Sequence, residues 1–312
     1  MDKLKVTPPP HLHSGDQIRF VMRDVLVALI PACLAAIYFF GWRALLMLAV
    51  GTGSAVFWEW LLVSKEKKTI GDLSAAVTGM LLTLVLPPSL PLWLIPIGTL
   101  IAIGLGKLIF GGLGYNPFNP ALIGRAALMA SWPAAMTSWF WPKGASLPLE
   151  NFNALTTATP LVLAKYRGFQ VGYSQLFWGN VAGSLGETSA FAILLGAAYL
   201  IIKRRIDLRI PLSYLATVFI LMAIWGRDPV FHLLAGGLLL GAFFMATDYV
   251  TTPVTPRGRI VFGIGCGILT VLIRLFGGYP EGVNYSILLM NALSPLLERW
   301  TMPVPGRRSS RA

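Results

Sequence analysis

The sequence predicts an all-α polytopic membrane protein, with about ten transmembrane helices arranged as two inverted five-helix repeats that contain broken or re-entrant segments. Three observations carry this reading. Hydrophobic residues make up 55% of the 312-residue chain and charged residues only 12%, with a mean hydropathy of +0.69, whereas soluble domains carry roughly 25% charged residues. The apolar residues gather into about ten runs near the ~20-residue length that crosses a hydrocarbon core. Lys and Arg fall mostly in alternate short connections, the bias that orients helices in a bilayer. The formal net charge of +12 is therefore a topology signal, and nucleic acid is not expected as a partner.

Taken in chain order, residues 1–24 form a polar segment in which Met1-Asp2-Lys3-Leu4-Lys5 runs on through Pro8-Pro9-Pro10. The first apolar run follows Arg23-Asp24, so no cleavable signal peptide is expected and the first span stays in the protein. Spans are expected at approximately 25–42, 44–63, 73–91, 93–112 and 121–137, a first repeat over 25–137. A connection over 138–180 follows, the longest in the chain. Five more spans, at approximately 181–202, 210–226, 230–250, 260–278 and 285–300, make a second repeat over 181–300, and 301–312 is a tail.

Orientation follows from the basic connections. Lys65, Lys67 and Lys68 follow the second span, Lys203, Arg204, Arg205 and Arg209 the sixth, and Arg257 and Arg259 the eighth. With ten spans these lie on one side, together with Lys3, Lys5, Arg19 and Arg23 at one end and Arg307, Arg308 and Arg311 at the other. Both termini are thus expected in the cytoplasm and the 138–180 connection outside it. Trp132, Trp139, Trp141 and Trp178 flank or enter that connection, as interfacial anchors do. An odd number of spans per half sets the second half upside down relative to the first. Gly114-Tyr115-Asn116 before the fifth span and Gly282-Val283-Asn284 before the tenth support a repeat. So do the mid-span glycines Gly79 and Gly237, each followed by an exit containing proline, Pro87-Pro88 and Pro253.

Gly111-Gly-Leu-Gly-Tyr-Asn-Pro-Phe-Asn-Pro120 cannot be one continuous helix, because its prolines and glycines break the ladder. Irregular backbone at membrane depth is tolerated where protein or a water-filled cavity surrounds it. Asn116 and Asn119 are accordingly candidates for lining a pathway or a cofactor site. Acids within or at the ends of spans are Glu59, Asp72, Glu187, Asp228, Asp248, Glu281 and Glu298. Intramembrane charge is expensive and is a functional candidate by default. Asp72, Asp228 and Glu298 sit near span ends, where interfacial pairing accounts for them. Glu187, in Gly183-Ser-Leu-Gly-Glu-Thr-Ser189, and Asp248, in Met245-Ala-Thr-Asp-Tyr249, are the stronger candidates for coordinating or relaying a cation, with hydrogen bonding to a neighbouring helix as the structural alternative.

Cys33 and Cys266 lie inside apolar runs, and His11, His13 and His232 are scattered, so neither an iron–sulfur nor another metal site is expected in this chain. A Gly-x-Gly-x-x-Gly turn and a phosphate loop ending in Gly-Lys-Ser/Thr are both missing, so redox chemistry would need another anchorage. The 138–180 connection offers one in Asn153-Ala-Leu-Thr-Thr-Ala-Thr-Pro-Leu161. It contains three hydroxyls, Thr156, Thr157 and Thr159, the last held extended by the proline that follows it.

In order and over nearly the whole chain, these segments resemble the family containing the D subunit of the Rnf ion-translocating electron transport complex and the B subunit of the sodium-pumping NADH:quinone oxidoreductase, the Rnf protein more closely. The likeness rests on the 111–120 motif, Gly186-Glu-Thr-Ser189, Phe244-Met-Ala-Thr-Asp248 with Thr252-Pro253, and Thr156-Thr-Ala-Thr-Pro-Leu161. The resemblance implies FMN joined by a phosphoester, through a separate flavin transferase, to the last threonine of an Asp-x-x-(Ser/Thr)-x-Ala-Thr motif. Here that threonine is Thr159, with Thr156 and Ala158 as motif positions and Asn153 replacing the leading acid. Lys165 and Arg167 are unusual basic residues for an outer face, and one of them is expected to neutralise the phosphate. The resemblance also implies a non-covalent riboflavin, without indicating its residues.

The protein so implied is one member, not catalytically complete alone, of an ion-pumping ferredoxin:NAD⁺ oxidoreductase complex in a bacterial cytoplasmic (inner) membrane. Its implied partners are the other Rnf subunits, including a second covalent-flavin subunit and iron–sulfur subunits. Coupling would be to Na⁺ or H⁺. The competing reading of the same architecture is a cofactor-free channel or secondary transporter; a scaffold for redox partners is a third.

Overall fold

The computed structural model describes residues 18–63, 70–140, 142, 159–168, 170–278 and 281–302, and the regular structure among them is entirely helical. The helices are α1 (Ile18–Phe40), α2 (Trp42–Leu62), α3 (Ser74–Leu84), α4 (Leu94–Ile103, continued by a wide π-type turn over Gly104–Leu108), α5 (Pro120–Ser131) and α6 (Pro133–Met136). They continue with α7 (Pro160–Arg167), α8 (Tyr173–Trp178), α9 (Ala190–Ile202), α10 (Arg209–Ile224), α11 (Pro229–Leu234), α12 (Leu238–Leu240, continued by a π-type turn over Gly241–Met245), α13 (Pro256–Phe276) and α14 (Val283–Thr301). By length and composition α1, α2 and α13 can each cross a membrane, and α3, α4, α9 and α10 are shorter apolar helices.

Helix starts follow from local sequence. Asn119, Thr159, Asp228 and Thr255 each cap a helix whose first residue is proline, a position that wastes no backbone donor. The bundle packs in the same order in both halves. In the first, α2 packs on α4 and α4 on α5; in the second, α10 packs on α13 and α13 on α14. The halves meet where α1 lies on α9 and where α5 touches α14. Close approach depends on small residues: a Cβ on Gly196 of α9 would fall on the Ala28 carbonyl oxygen of α1, and one on Gly79 would meet the Gly51 carbonyl.

The structure departs from the expected spans in four places. The first helix begins at Ile18, taking in residues assigned above to a polar segment, because the buried Asp24 is paired with Arg205 Nε at 2.8 Å. The third span is helical only over α3; Val85–Trp93 is irregular, ended by Pro87-Pro88, and its carbonyls are satisfied from elsewhere in the bundle. Leu84 O accepts from Gly186 N at 2.7 Å, Leu86 O from Leu185 N at 3.1 Å, and Val85 O from Arg125 Nε at 3.0 Å. The donors at 185 and 186 belong to an irregular stretch, so the sixth span becomes helical only at Ala190. The eighth span is broken between α11 and α12, where Gly236 and Gly237 take φ of +72° and +66°.

Replacing Gly196 with valine is expected to destabilise the protein by about 1–3 kcal/mol or more through overpacking. Gly53→Ala, where a Cβ meets nothing within 4 Å, is expected to stabilise it by about 0.5–1 kcal/mol through helix propensity. Unfolding of the two purified variants in one detergent measures both.

Candidate functional site

Polar side chains collect at the two ends of the bundle. At the end holding Thr159, that residue is the N-cap of α7. Its backbone is extended (φ −62°, ψ 158°) and its Oγ1 accepts from Val162 N at 3.4 Å. It is 5% exposed and lines a small cavity with Glu187, Thr188, Gly236 and Glu281, leaving about 20 Å³ free. Arg125 pairs with Glu281 and, together with Glu281, acts on Glu187 through space. A side chain on Gly237 would run into the Glu187 carboxylate. Arg274 closes the break in the eighth span, donating to the carbonyls of His232, Ala235 (3.0 Å) and Gly236 (3.5 Å). Two carboxylates thus line the threonine pocket, backed by the Arg125 guanidinium on Glu281 and the Arg274 guanidinium on the Ala235 and Gly236 carbonyls.

Lys165 and Arg167 share a helix with Thr159, which caps its opposite end. Because Thr159 caps the start of α7, both lie in the last turn of that helix, with Lys165 roughly 9 Å further along the axis. The Lys165 ammonium donates to Gly277 O at 2.6 Å, and partial burial holds it below the ordinary lysine range. Thr156, Ala158 and Asn153 fall outside the described residues.

At the other end, Lys107, 1% exposed, pairs with Glu59, 2% exposed, and donates to Ser74 Oγ, which in turn donates to Asp72. Lys107 also lines a cleft of about 750 Å³, counting its open part, with Asn116, Asn119, Thr247 and Asp248 among its walls and Val77, Leu81, Phe243 and Phe244 as apolar lining. Asn119 holds the backbone in place: Oδ1 caps α5 through Ala121 N at 3.1 Å and Nδ2 donates to Met245 O at 3.2 Å. Asn116 Nδ2 donates to Phe118 O at 3.1 Å, and its buried Oδ1 has no partner. Asp248 accepts from Thr251 Oγ1 at 3.3 Å.

Asn116, Asn119 and Asp248 therefore share one cleft, while Glu187 belongs to the opposite end. Sequence reasoning passed over Lys107, Arg125 and Arg274, having looked for acids, and left Asp24 in the polar segment before the first span. A signal for two of them was present. Lys107-Leu-Ile-Phe-Gly-Gly-Leu-Gly-Tyr-Asn116 and Arg274-Leu-Phe-Gly-Gly-Tyr-Pro-Glu-Gly-Val-Asn284 share the order cation, Phe-Gly-Gly, Gly-x-Asn. Both cations are buried. Gly114 and Gly282 both take positive φ (+97° and +61°), and Asn116 and Asn284 both bury an Oδ1 with no partner.

The chain matches the family described as NQR2, RnfD, RnfE over residues 5–306. It is 47% identical to the D subunit of the Na(+)-translocating ferredoxin:NAD(+) oxidoreductase complex of Acetobacterium woodii, an alignment covering 96% of this chain and 93% of the relative. It is 45% identical to the D subunit of the proton-translocating ferredoxin:NAD(+) oxidoreductase complex of Clostridium ljungdahlii, with 96% and 95% covered. The D subunit of the ion-translocating oxidoreductase complex of Haemophilus influenzae is 36% identical, with 96% of each chain covered. Two relatives so alike in identity carry different ions in their names.

Lys107→Met removes the ammonium paired with the buried Glu59 carboxylate and is expected to cost about 3–5 kcal/mol, as breaking a buried ion pair by deleting one partner does. The double variant Lys107→Met/Glu59→Gln removes that charge and is expected to recover most of the loss. Unfolding midpoints of the two purified proteins give the comparison.

Proposed function

The chain belongs to the NQR2, RnfD, RnfE family, and from that membership we propose that it is the D-type membrane subunit of an ion-translocating ferredoxin:NAD⁺ oxidoreductase, relaying electrons through FMN attached to Thr159. The complex, not this chain alone, is the enzyme. Its other members supply iron–sulfur centres and a second covalent flavin, and a flavin transferase matures Thr159. Bound FMN supplies one- and two-electron transfer, and the protein sets its position and electrostatics.

The observation that carries this reading is the N-cap position of Thr159. A phosphoester on its Oγ1 would meet the first-turn amides of α7, where the helix dipole favours negative charge. The residues fit the phosphoryl end of the group: the hydroxyl stands at the cap, and Arg125 and Arg274 back the Glu281 and Gly236 walls of the same pocket. Counting open parts alike, the space beside Thr159 is about 320 Å³ against about 750 Å³ for the opposite cleft; the phosphoryl end is assigned to the α7 amides at its edge and the isoalloxazine outside it.

The non-covalent riboflavin is assigned to the opposite cleft, the larger of the two and lined mainly by apolar side chains with a few polar groups. Asn116 would accept a hydrogen bond through its unpartnered Oδ1, and Val77, Leu81, Phe243 and Phe244 would face the ligand's apolar surface. Ten alternating spans in two inverted repeats, with cytoplasmic termini in a bacterial inner membrane, accommodate both sites on opposite faces. The polar contacts between connections sort accordingly. Arg43 with Ser89, Lys165 with Gly277 and Tyr173 with Asp228 fall at the Thr159 end. Asp24 with Arg205, Asp207 with Arg259 and Thr255 with Thr301 fall at the other. Ion passage, of Na⁺ or H⁺, would use Asp248 at one face and Glu187 at the other; transport by the complex unimpaired in both Asp248→Asn and Glu187→Gln would refute that assignment. The break between α11 and α12 also suits a cofactor-free transporter, built around discontinuous helices, and flavin content separates the two.

The denatured wild-type band, from cells that contain the transferase, is expected to fluoresce on a gel under ultraviolet light, and the Thr159→Val band to be dark. A dark wild-type band would leave the transporter reading. Asn116→Leu is expected to lower the flavin released on denaturation while the gel band keeps its fluorescence; full retention of released flavin would remove riboflavin from the cleft.

A further inference from the structure

The pocket beside Thr159 holds a second arrangement that the flavin attachment does not use. Thr188, 1% exposed, lines it, and its Oγ1 has no hydrogen-bond partner. A buried hydroxyl left without a partner costs about 1–3 kcal/mol, so one that faces this space beside a carboxylate points to a ligand. The free volume of about 20 Å³ exceeds the ~10–15 Å³ that one water-sized species requires. The donors facing it are all oxygen, from Thr159, Glu187, Thr188 and Glu281, the ligand type that hard cations take.

Charge decides what the species is. With Thr159 unmodified, Glu187 and Glu281 are balanced by Arg125 and Arg274, and the pocket needs no further cation. A phosphodiester at Thr159 adds one negative charge in a place of low dielectric, where an unbalanced ion is costly. The Lys165 ammonium is engaged elsewhere, on Gly277 O. Resting on the reading of Thr159 as the flavin-bearing residue, we propose that the pocket formed by Thr159, Glu187 and Thr188 binds one dehydrated monovalent cation of sodium's size once the phosphodiester is in place. Glu187 supplies the charge, Thr188 a hydroxyl, and the modified Thr159 the excess that retains the ion.

The test uses the purified complex in choline chloride, with sodium chloride added at constant ionic strength, following the unfolding midpoint and bound radioactive sodium. A flavin-fluorescent wild-type complex is expected to show a saturable rise in midpoint, with potassium acting at least about tenfold more weakly. Thr188→Val and Glu187→Gln are expected to keep the fluorescent band and to weaken sodium binding at this site about tenfold or more. Thr188→Ser, which restores the oxygen, is expected to bind as the wild type does, so a general folding defect is distinguishable. Thr159→Val should lose both the fluorescence and this sodium response. Identical sodium titrations in wild type, Thr188→Val and Glu187→Gln, with the band still bright, would overturn the cation site while leaving the flavin reading intact. A stabilisation that follows proton concentration and ignores sodium would overturn it equally. A dark wild-type band removes the charge excess and with it this proposal.

Discussion

Backbone that leaves the helix at membrane depth has to find its hydrogen bonds inside the protein, because lipid offers none. Much of this structure answers that constraint. The irregular stretch after α3 gives its carbonyls to the amides of Leu185 and Gly186 and to the guanidinium of Arg125. The break in the eighth span gives its carbonyls to Arg274. The segment after the second π-type turn is held by Asn119 on Met245 O and by Asn291 on Thr251 O at 3.1 Å. Most of these bonds are made by residues distant in sequence, and several join one half of the chain to the other.

The charged residues follow from the same requirement. A lone ion in the bilayer is prohibitive, but an arginine can satisfy several orphaned carbonyls while an acid balances it. Arg125 binds both Val85 O and Glu281, so the charge and the broken backbone stabilise each other. Once such a framework exists, the polar groups it leaves over are available for ligands. At one end these are Asn116 Oδ1 and the cleft around it; at the other it is the Thr188 hydroxyl beside Glu187.

The helical membrane class was legible because composition and hydropathy are properties of the whole chain, summed over many residues. The prolines and glycines of 111–120 correctly announced irregular backbone. Span lengths were not legible at 73–91, 181–202 and 230–250. An apolar run reads the same whether its backbone is helical or is satisfied by another segment, and Leu84–Leu86 are as apolar as the helix before them. Asp24 hid the start of α1 because its partner Arg205 is far away in sequence. The division of Glu187 from Asn116, Asn119 and Asp248 follows the alternation of the expected spans, but that the last three share one cleft needed the fold. Lys165 and Arg167 lie in the last turn of the helix that Thr159 caps, and only that cap position reveals the direction in which they run.

The bonds from Leu84 O to Gly186 N and from Leu86 O to Leu185 N also impose an order on biogenesis. A chain emerging from the ribosome inserts its first spans long before the residues that will satisfy them have been made. Until the start of the sixth span arrives, the carbonyls beyond α3 have to be hydrated or covered by the insertion machinery. The first half is therefore a client that cannot be released early, and a fragment ending before residue 185 would carry its exposed backbone to the membrane's proteolytic quality control.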